Sequence, residues 1–304
     1  MLKYHRDSHE PNCNQTLADT ILDMQLLSQI TTRIRLYSSE CNQTAMVLEA
    51  IKQSKTNLKV FLGIYRIDEA GYQRQKTALK EALQTYGTSN ILGITVDYMP
   101  VVRATVVNDT NEFDVFDGNF TDIRQMLTSM DVNLPVGPAD GASVNTTLFR
   151  NLKFRRAFII PQCLTPKVAD LFLLSSSMVR VDAWNNATRI QDAAKWSFAF
   201  FNKTSVELAK SFFPEPEMYM TEVGWPTNSS SSLLNPSAAS VENLQIFINH
   251  FVCMANTLGV KYFFSDYMDN PWKEERYSGV AGSWGLFNSD RTLKAITLPD
   301  CAHV

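Results

Sequence analysis

The sequence is short of several things, and each shortage removes a class of function. It carries no block of like charge and no lysine/arginine stripe, and its formal charge is −3, so the electrostatic footprint of a duplex-binding protein is missing. Nucleic acid is not an expected partner. No apolar run approaches the roughly 18 residues that a membrane-spanning helix needs, so no span is expected. The 4 histidines (His5, His9, His250 and His303) are scattered and none of the 5 cysteines has C-x-x-C spacing, so no metal site is expected. G-x-G-x-x-G, the P-loop and the G-x-S-x-G elbow are also missing. No histidine follows a strand candidate closely enough for a Ser/His/Asp relay, and no cofactor is expected. Met1-Leu2-Lys3-Tyr4-His5-Arg6 lacks the apolar core of a secretion leader.

What is present points outward all the same. Asparagine acceptors of the form Asn-x-Ser/Thr stand at Asn14, Asn42, Asn108, Asn119, Asn145, Asn186, Asn202 and Asn228. Eight exceeds the about 3 that the composition gives by chance. That excess favours a secreted or cell-wall glycoprotein. Cys13, Cys41, Cys163, Cys253 and Cys301 permit two disulfides and leave one thiol over, with the pairing open.

Short apolar runs rich in β-branched and aromatic residues recur at 33–37, 58–65, 91–96, 134–138, 155–160, 217–223 and 260–266. Tyr4 adds a first, short strand. The gaps between them are long enough for a helix each, which is βαβ spacing rather than hairpin spacing. Eight such units in 304 residues predict one (β/α)8 TIM barrel, residues 1–304, with a doubly wound sheet as the alternative. Helices are expected after Thr16, after Glu40, over 73–86 with Gly87 as the stop, and over 241–256, each with one apolar stripe. Rim excursions are expected at 101–119 and 227–240. A monomer is expected.

In a barrel the loops after the strands build the active face. Glu222 ends one strand and opens Glu222-Val223-Gly224-Trp225-Pro226-Thr227, a turn forced by glycine and proline. A rigid carboxylate beside an indole suits sugar chemistry, because the carboxylate supports an oxocarbenium-like centre and the ring packs on a pyranose face. The competing reading pairs Glu222 with a barrel arginine such as Arg35. Tyr37, Tyr65, Tyr98, Trp225, Tyr267, Trp272 and Trp284 supply rings at or beyond other strand ends. Asp68, Asp97, Asp140, Asp266 and Asp269 could bind hydroxyls or cap helices.

These residues resemble glycoside hydrolase family 17, the β-1,3-glucanases and glucanosyltransferases, and most closely its fungal cell-wall branch. The resemblance rests on Arg33-Ile34-Arg35-Leu36-Tyr37 with Cys41-Asn42-Gln43, on Phe61-Leu62-Gly63-Ile64, Gly93-Ile94-Thr95-Val96 and Pro135-Val136-Gly137. It continues through the Glu222 turn, Pro271-Trp272-Lys273 and Trp284-Gly285-Leu286-Phe287. It implies a groove for β-1,3-glucan, retaining chemistry with Glu222 as nucleophile, and glycan contacts from Tyr37, Tyr65, Trp225, Tyr267, Trp272 and Lys273. Departures from the family pattern are concentrated on one face. Met99 stands where the acid/base glutamate is expected, Asn270 where a carboxylate is usual, and Ala281 and Ile160 where a glutamate and a histidine motif are usual. A thioether donates no proton, so the expectation is a glucan-recognising barrel with impaired catalysis. The alternative is an active enzyme with Asp97 as a substitute acid. Glu112 and Asp114 lie in the segment after it.

Overall fold

The computed structural model describes residues 2–4, 8–9, 12–65, 68–98, 111–141, 171–175, 189–207, 210, 217–229, 239–277 and 281–301. Eight parallel strands close a ring. They are β1 (Leu2–Lys3), β2 (Arg33–Arg35), β3 (Lys59–Ile64), β4 (Ile91–Tyr98), β5 (Val136–Gly141), β6 (Leu171–Ser175), β7 (Glu217–Val223) and β8 (Lys261–Phe264). Each pairs with its sequence neighbours, and β1 joins β2 and β8 to complete the circle. The seam is thin: Leu2 faces both Ile34 and Phe264, and Lys3 faces Arg35. The Tyr4 amide extends it by donating to the Arg35 carbonyl at 3.0 Å.

One expected strand is corrected. The sixth place in the ring is filled by Leu171–Ser175, which pairs with β5 and β7. The segment 155–160, with Ile160, lies outside the described residues. Both segments are short apolar runs, and local pattern does not decide between them. The partners do, because Leu173 faces Ala139 and Leu171 faces Glu217.

Outside the ring run α1 (Leu17–Leu27), α2 (Gln43–Ser54), α3 (Glu69–Tyr86), α4 (Asn111–Ser129), α5 (Ile190–Phe201), α6 (Val241–Leu258) and a short α7 (Trp272–Tyr277). Their starts follow from capping chemistry. Thr16, Asp68 and Ser240 each accept the amide three residues on, from Asp19, Gly71 and Asn243, which satisfies a donor the helix leaves open. At the end of α6, Gly259 takes φ +64 and returns its amide to Ala255 and Asn256, a conformation that costs other residues more.

Helix α4 corrects the rim excursion expected at 101–119. Residues 101–110 lie outside the described set, but 111–119 are helical. Phe116, Phe120, Ile123 and Leu127 fall at helical spacing and are all buried, so the mixture of polar and aromatic residues is an amphipathic stripe. Thr227 to Ser229 do form a loop, and 230–238 are outside the described residues.

Apolar side chains divide into two layers. Most sit between ring and helices; a small aromatic knot of Phe61, Tyr219 and Phe263 fills the lumen, with ring centroids 5.3–6.0 Å apart. Between α3 and α4, Tyr72 and Lys76 both donate to Asp122, at 2.7 and 2.6 Å. Burial alone would raise the Asp122 carboxyl, but these donors outweigh it and hold it below the ordinary carboxylate value. A depressed carboxylate stabilises the fold above its unfolded pKa, and the benefit disappears as pH falls through the folded one. Asp122→Asn is therefore expected to lower the urea midpoint at pH 6, with the gap to the unaltered chain closing as pH drops below the ordinary carboxylate range.

Cys13 is bonded to Cys41 and Cys253 to Cys301, while Cys163 lies outside the described residues. The first bridge ties a short ribbon, Ser8–His9 with Asn12–Cys13, to the turn that opens α2. The second ties α6 to the C-terminal segment.

Candidate active site

Strand β7 delivers Glu222 to the lumen by a register fault. Tyr219 faces Lys261 and Met220 faces Tyr262, but Val223 faces Phe264. Three steps along β7 match two along β8, so β7 carries one extra residue. Tyr219 belongs to the lumen knot, so simple alternation would turn Glu222 outward. The outward positions are instead held by Tyr262 and Phe264, which contact Phe251 and Phe247 of α6, and by their partners Met220 and Val223. Counting back from Val223, Glu222 points into the barrel at its C-terminal mouth. It is 1% exposed.

The strand then crowds its neighbour. A Cβ on Gly224 would stand 2.1 Å from the Ser265 carbonyl oxygen, so only glycine lets β7 and β8 approach here. Gly224→Ala is expected to cost about 1–3 kcal/mol, the range for overpacking a closed interior, and a thermal melt checks it. With Gly224 pressed on β8, the next side chain falls over α6. Trp225 is buried at 5.8 Å from the Phe247 ring. The indole, expected to meet glycan, packs the outer layer.

Tyr267, also expected at the glycan, lies in the same core cluster. It is fully buried, and its hydroxyl donates to Asp23 of α1 at 3.1 Å. Trp284 is also buried in the main core. Tyr37, Tyr65 and Trp272 remain half-buried near strand ends. The Arg35 guanidinium covers one face of Tyr37 at 4.5 Å. Lys273 is buried and donates to Asp266 at 2.6 Å, and Asp266 also accepts from the Ser265 hydroxyl at 3.1 Å. Asn270 is spent on backbone, its amide side chain reaching the Met268 carbonyl at 2.8 Å and its N–H the Gly282 carbonyl at 2.8 Å. Asp68 caps α3. Asp97 and Tyr98 end β4 and Asp140 lies in β5; Glu112 lies in α4 and Asp114 on its exposed face. Met99 lies outside the described residues, and Ala281 is half-buried beside the Gly282 turn.

Two buried side chains that local pattern does not single out hold the mouth together. Gln75 of α3 accepts from the Tyr65 and Ser39 amides, at 2.8 and 3.3 Å, and donates to the Tyr65 carbonyl at 2.5 Å. The turns after β2 and β3 are thereby fixed to one helix. Lys294 donates to Thr227 at 2.6 Å and to Asp269 at 2.7 Å, and Asp269 accepts the Gly285 amide at 2.8 Å. That clasp joins the turn after Glu222 to the turn after β8. Burial pushes the Asp269 carboxyl up and the Lys294 ammonium down, each opposed by the other. Their partners are tens of residues away in sequence, so only the fold reveals them. Among the described residues no group of His, Cys, Asp and Glu is arranged to hold a metal ion.

A model of the BtgE/BtgC glycoside hydrolase domain matches residues 2–153 and 178–285. The chain is 28% identical over 296 residues to the putative glucan endo-1,3-beta-glucosidase btgC of Aspergillus niger, covering 92% of this chain and 40% of that protein. It is 25% identical to the glucan endo-1,3-beta-glucosidase btgC of Emericella nidulans, covering 92% and 42%. The chain thus spans about two fifths of the length of these relatives. Among solved structures, the glycoside hydrolase family 17 beta-1,3-glucanosyltransferase of Rhizomucor miehei superposes with a TM-score of 0.73 at 19% identity, covering 99% of this chain and 97% of that one. An endo-laminarinase from Formosa gives 0.73 at 15% identity, covering 99% and 91%. The barrel is shared with both.

Proposed function

We propose that the chain, which belongs to the BtgE/BtgC glycoside hydrolase domain family, works in the manner of glycoside hydrolase family 17 and recognises β-1,3-glucan at the barrel mouth with its hydrolytic step impaired. The observation that carries this reading is Glu222, turned into the lumen by the bulge in β7, in a sequence that has methionine at position 99. A retaining glycosidase needs two carboxyls, one to attack and one to protonate the departing oxygen. Here the attacking group has kept its place, while position 99 offers no proton.

The departures around it support the same reading. Asn270 is turned to its own backbone, and Lys273 takes Asp266 as its counter-ion. Glycan contact then falls to the half-buried rings of Tyr37, Tyr65 and Trp272. Two disulfides suit an oxidising compartment. With cell-wall glucan as the ligand, they favour an extracellular or wall location, and no helix among the described residues is long and apolar enough to cross a membrane.

The test is a sedimentation assay with insoluble β-1,3-glucan. The folded chain is expected to leave the supernatant with the glucan and to stay soluble with cellulose. Equal partition in both tubes overturns the glucan assignment. A second reading, hydrolysis with Asp97 as the donor, draws on the position of Asp97 at the end of β4, and it predicts soluble product in the same tubes.

A further inference from the structure

The eight Asn-x-Ser/Thr acceptors fall into groups that the sequence alone does not separate. Asn14, Asn42, Asn202 and Asn228 are exposed. Asn119 is 7% exposed, within α4 between the buried Phe116 and Phe120, and its main-chain carbonyl accepts the Tyr72 hydroxyl at 3.1 Å. Asn108, Asn145 and Asn186 lie outside the described residues. An N-linked oligosaccharide is bulky and hydrophilic, and its asparagine side chain must reach solvent. We propose that Asn14, Asn42, Asn202 and Asn228 carry N-linked glycans in the mature protein and that Asn119 does not.

Geometry gives the four different surroundings. Asn14 and Asn42 each follow a half of the Cys13–Cys41 bridge, whose Cα atoms are 5.3 Å apart, so the two glycans leave from one knuckle. Asn42 begins α2 at φ +56 with its side chain exposed. Asn228 stands in the loop after β7, where its side-chain oxygen accepts the Ser229 amide at 2.8 Å and its side-chain nitrogen is left for the sugar. Asn202 opens the turn Asn202–Val206 at the end of α5. The segments with Asn14, Asn42 and Asn228 follow β1, β2 and β7, and β7, β8, β1 and β2 are consecutive in the ring. Three of the four sugars therefore rise from one arc of the mouth. A sugar on Asn119, 7% exposed in a helix packed beside α3, would have no room without opening that layer, so the folded protein is expected to lack it.

The inference rests on the extracellular reading and is tested on the full chain secreted from a fungal host. After release by peptide N-glycosidase, peptide mapping is expected to find aspartate at 14, 42, 202 and 228 and unchanged asparagine at 119. Each of Asn14→Gln, Asn42→Gln, Asn202→Gln and Asn228→Gln is expected to remove one step of gel mobility shift, and Asn119→Gln none. Glycan on Asn119 of the folded protein, or bare asparagine at the four exposed positions with sugar elsewhere, overturns the assignment and leaves the location intact. A chain with no sugar anywhere and free thiols at Cys253 and Cys301 overturns the location itself and the assignment with it.

Discussion

Laminarin incubated with the purified chain is expected to release reducing ends roughly 10²–10⁴ times more slowly than with a relative that holds both carboxyls, because that is the range general acid/base assistance supplies. The deficit corresponds to about 3–5 kcal/mol of barrier. Met99→Glu is expected to recover part of it, and Glu222→Gln in that background to abolish what is recovered. The second substitution matters because a gain that survives it would come from another site. Brisk, Glu222-dependent cleavage by the unaltered chain would sink the reading. The size of the effect follows from the leaving group: without a proton, a glucoside must depart nearly as an alkoxide. No placement of Glu222 alone removes that cost.

The second large effect concerns Asp23. Its carboxylate is fully buried and accepts from Tyr4 at 2.9 Å, from Tyr267 at 3.1 Å and from the Arg291 guanidinium at 2.7 Å. Burial would lower the Arg291 pKa, but Asp19 and Asp23 push it up instead. Four parts of the chain meet at this one acid: the end of β1, α1, the turn after β8 and the C-terminal segment. Asp23→Ala takes the acceptor from two buried tyrosine hydroxyls and one of the two carboxylates from Arg291, which keeps Asp19, and about 3–5 kcal/mol is the expected loss. For a chain of this length that is roughly 6 °C in melting temperature. Asp23→Asn keeps an acceptor and is expected to lose less. A melt unmoved by Asp23→Ala would mean that the seam at β1 is held elsewhere, for instance by the Gln15 and Tyr4 contact.

Much of the barrel was legible because its signals are local. The bounds 217–223 coincide with β7, and α1 begins one residue after the expected Thr16. Hydrophobic period and capping chemistry act over a turn or two, so a linear reading finds them. The sixth strand was missed because two apolar runs competed and only lateral pairing chose Leu171–Ser175. Helix α4 was read as an excursion because its aromatic stripe is diluted with asparagine and aspartate.

At the site the reading divided in the same way. Glu222 was singled out from its turn, and the structure puts it one residue from the end of β7. Trp225 and Tyr267 also sit beyond strand ends, yet the structure turns both into the packing layers, because a ring near a strand end has two faces of the sheet to choose from. Lys294 and Gln75 carried no local signal, since their importance lies in partners 25 to 67 residues away for the lysine and 10 to 36 for the glutamine.

The extra residue in β7 has a consequence for how this family copy can drift. The aim of Glu222 is stored as a count of residues between two fixed pairings, Met220 with Tyr262 and Val223 with Phe264. A substitution on another strand leaves that arithmetic untouched. Point substitutions at other strands therefore leave the direction of Glu222 in place, whereas an insertion or deletion in β7 or β8 between those pairings would turn it.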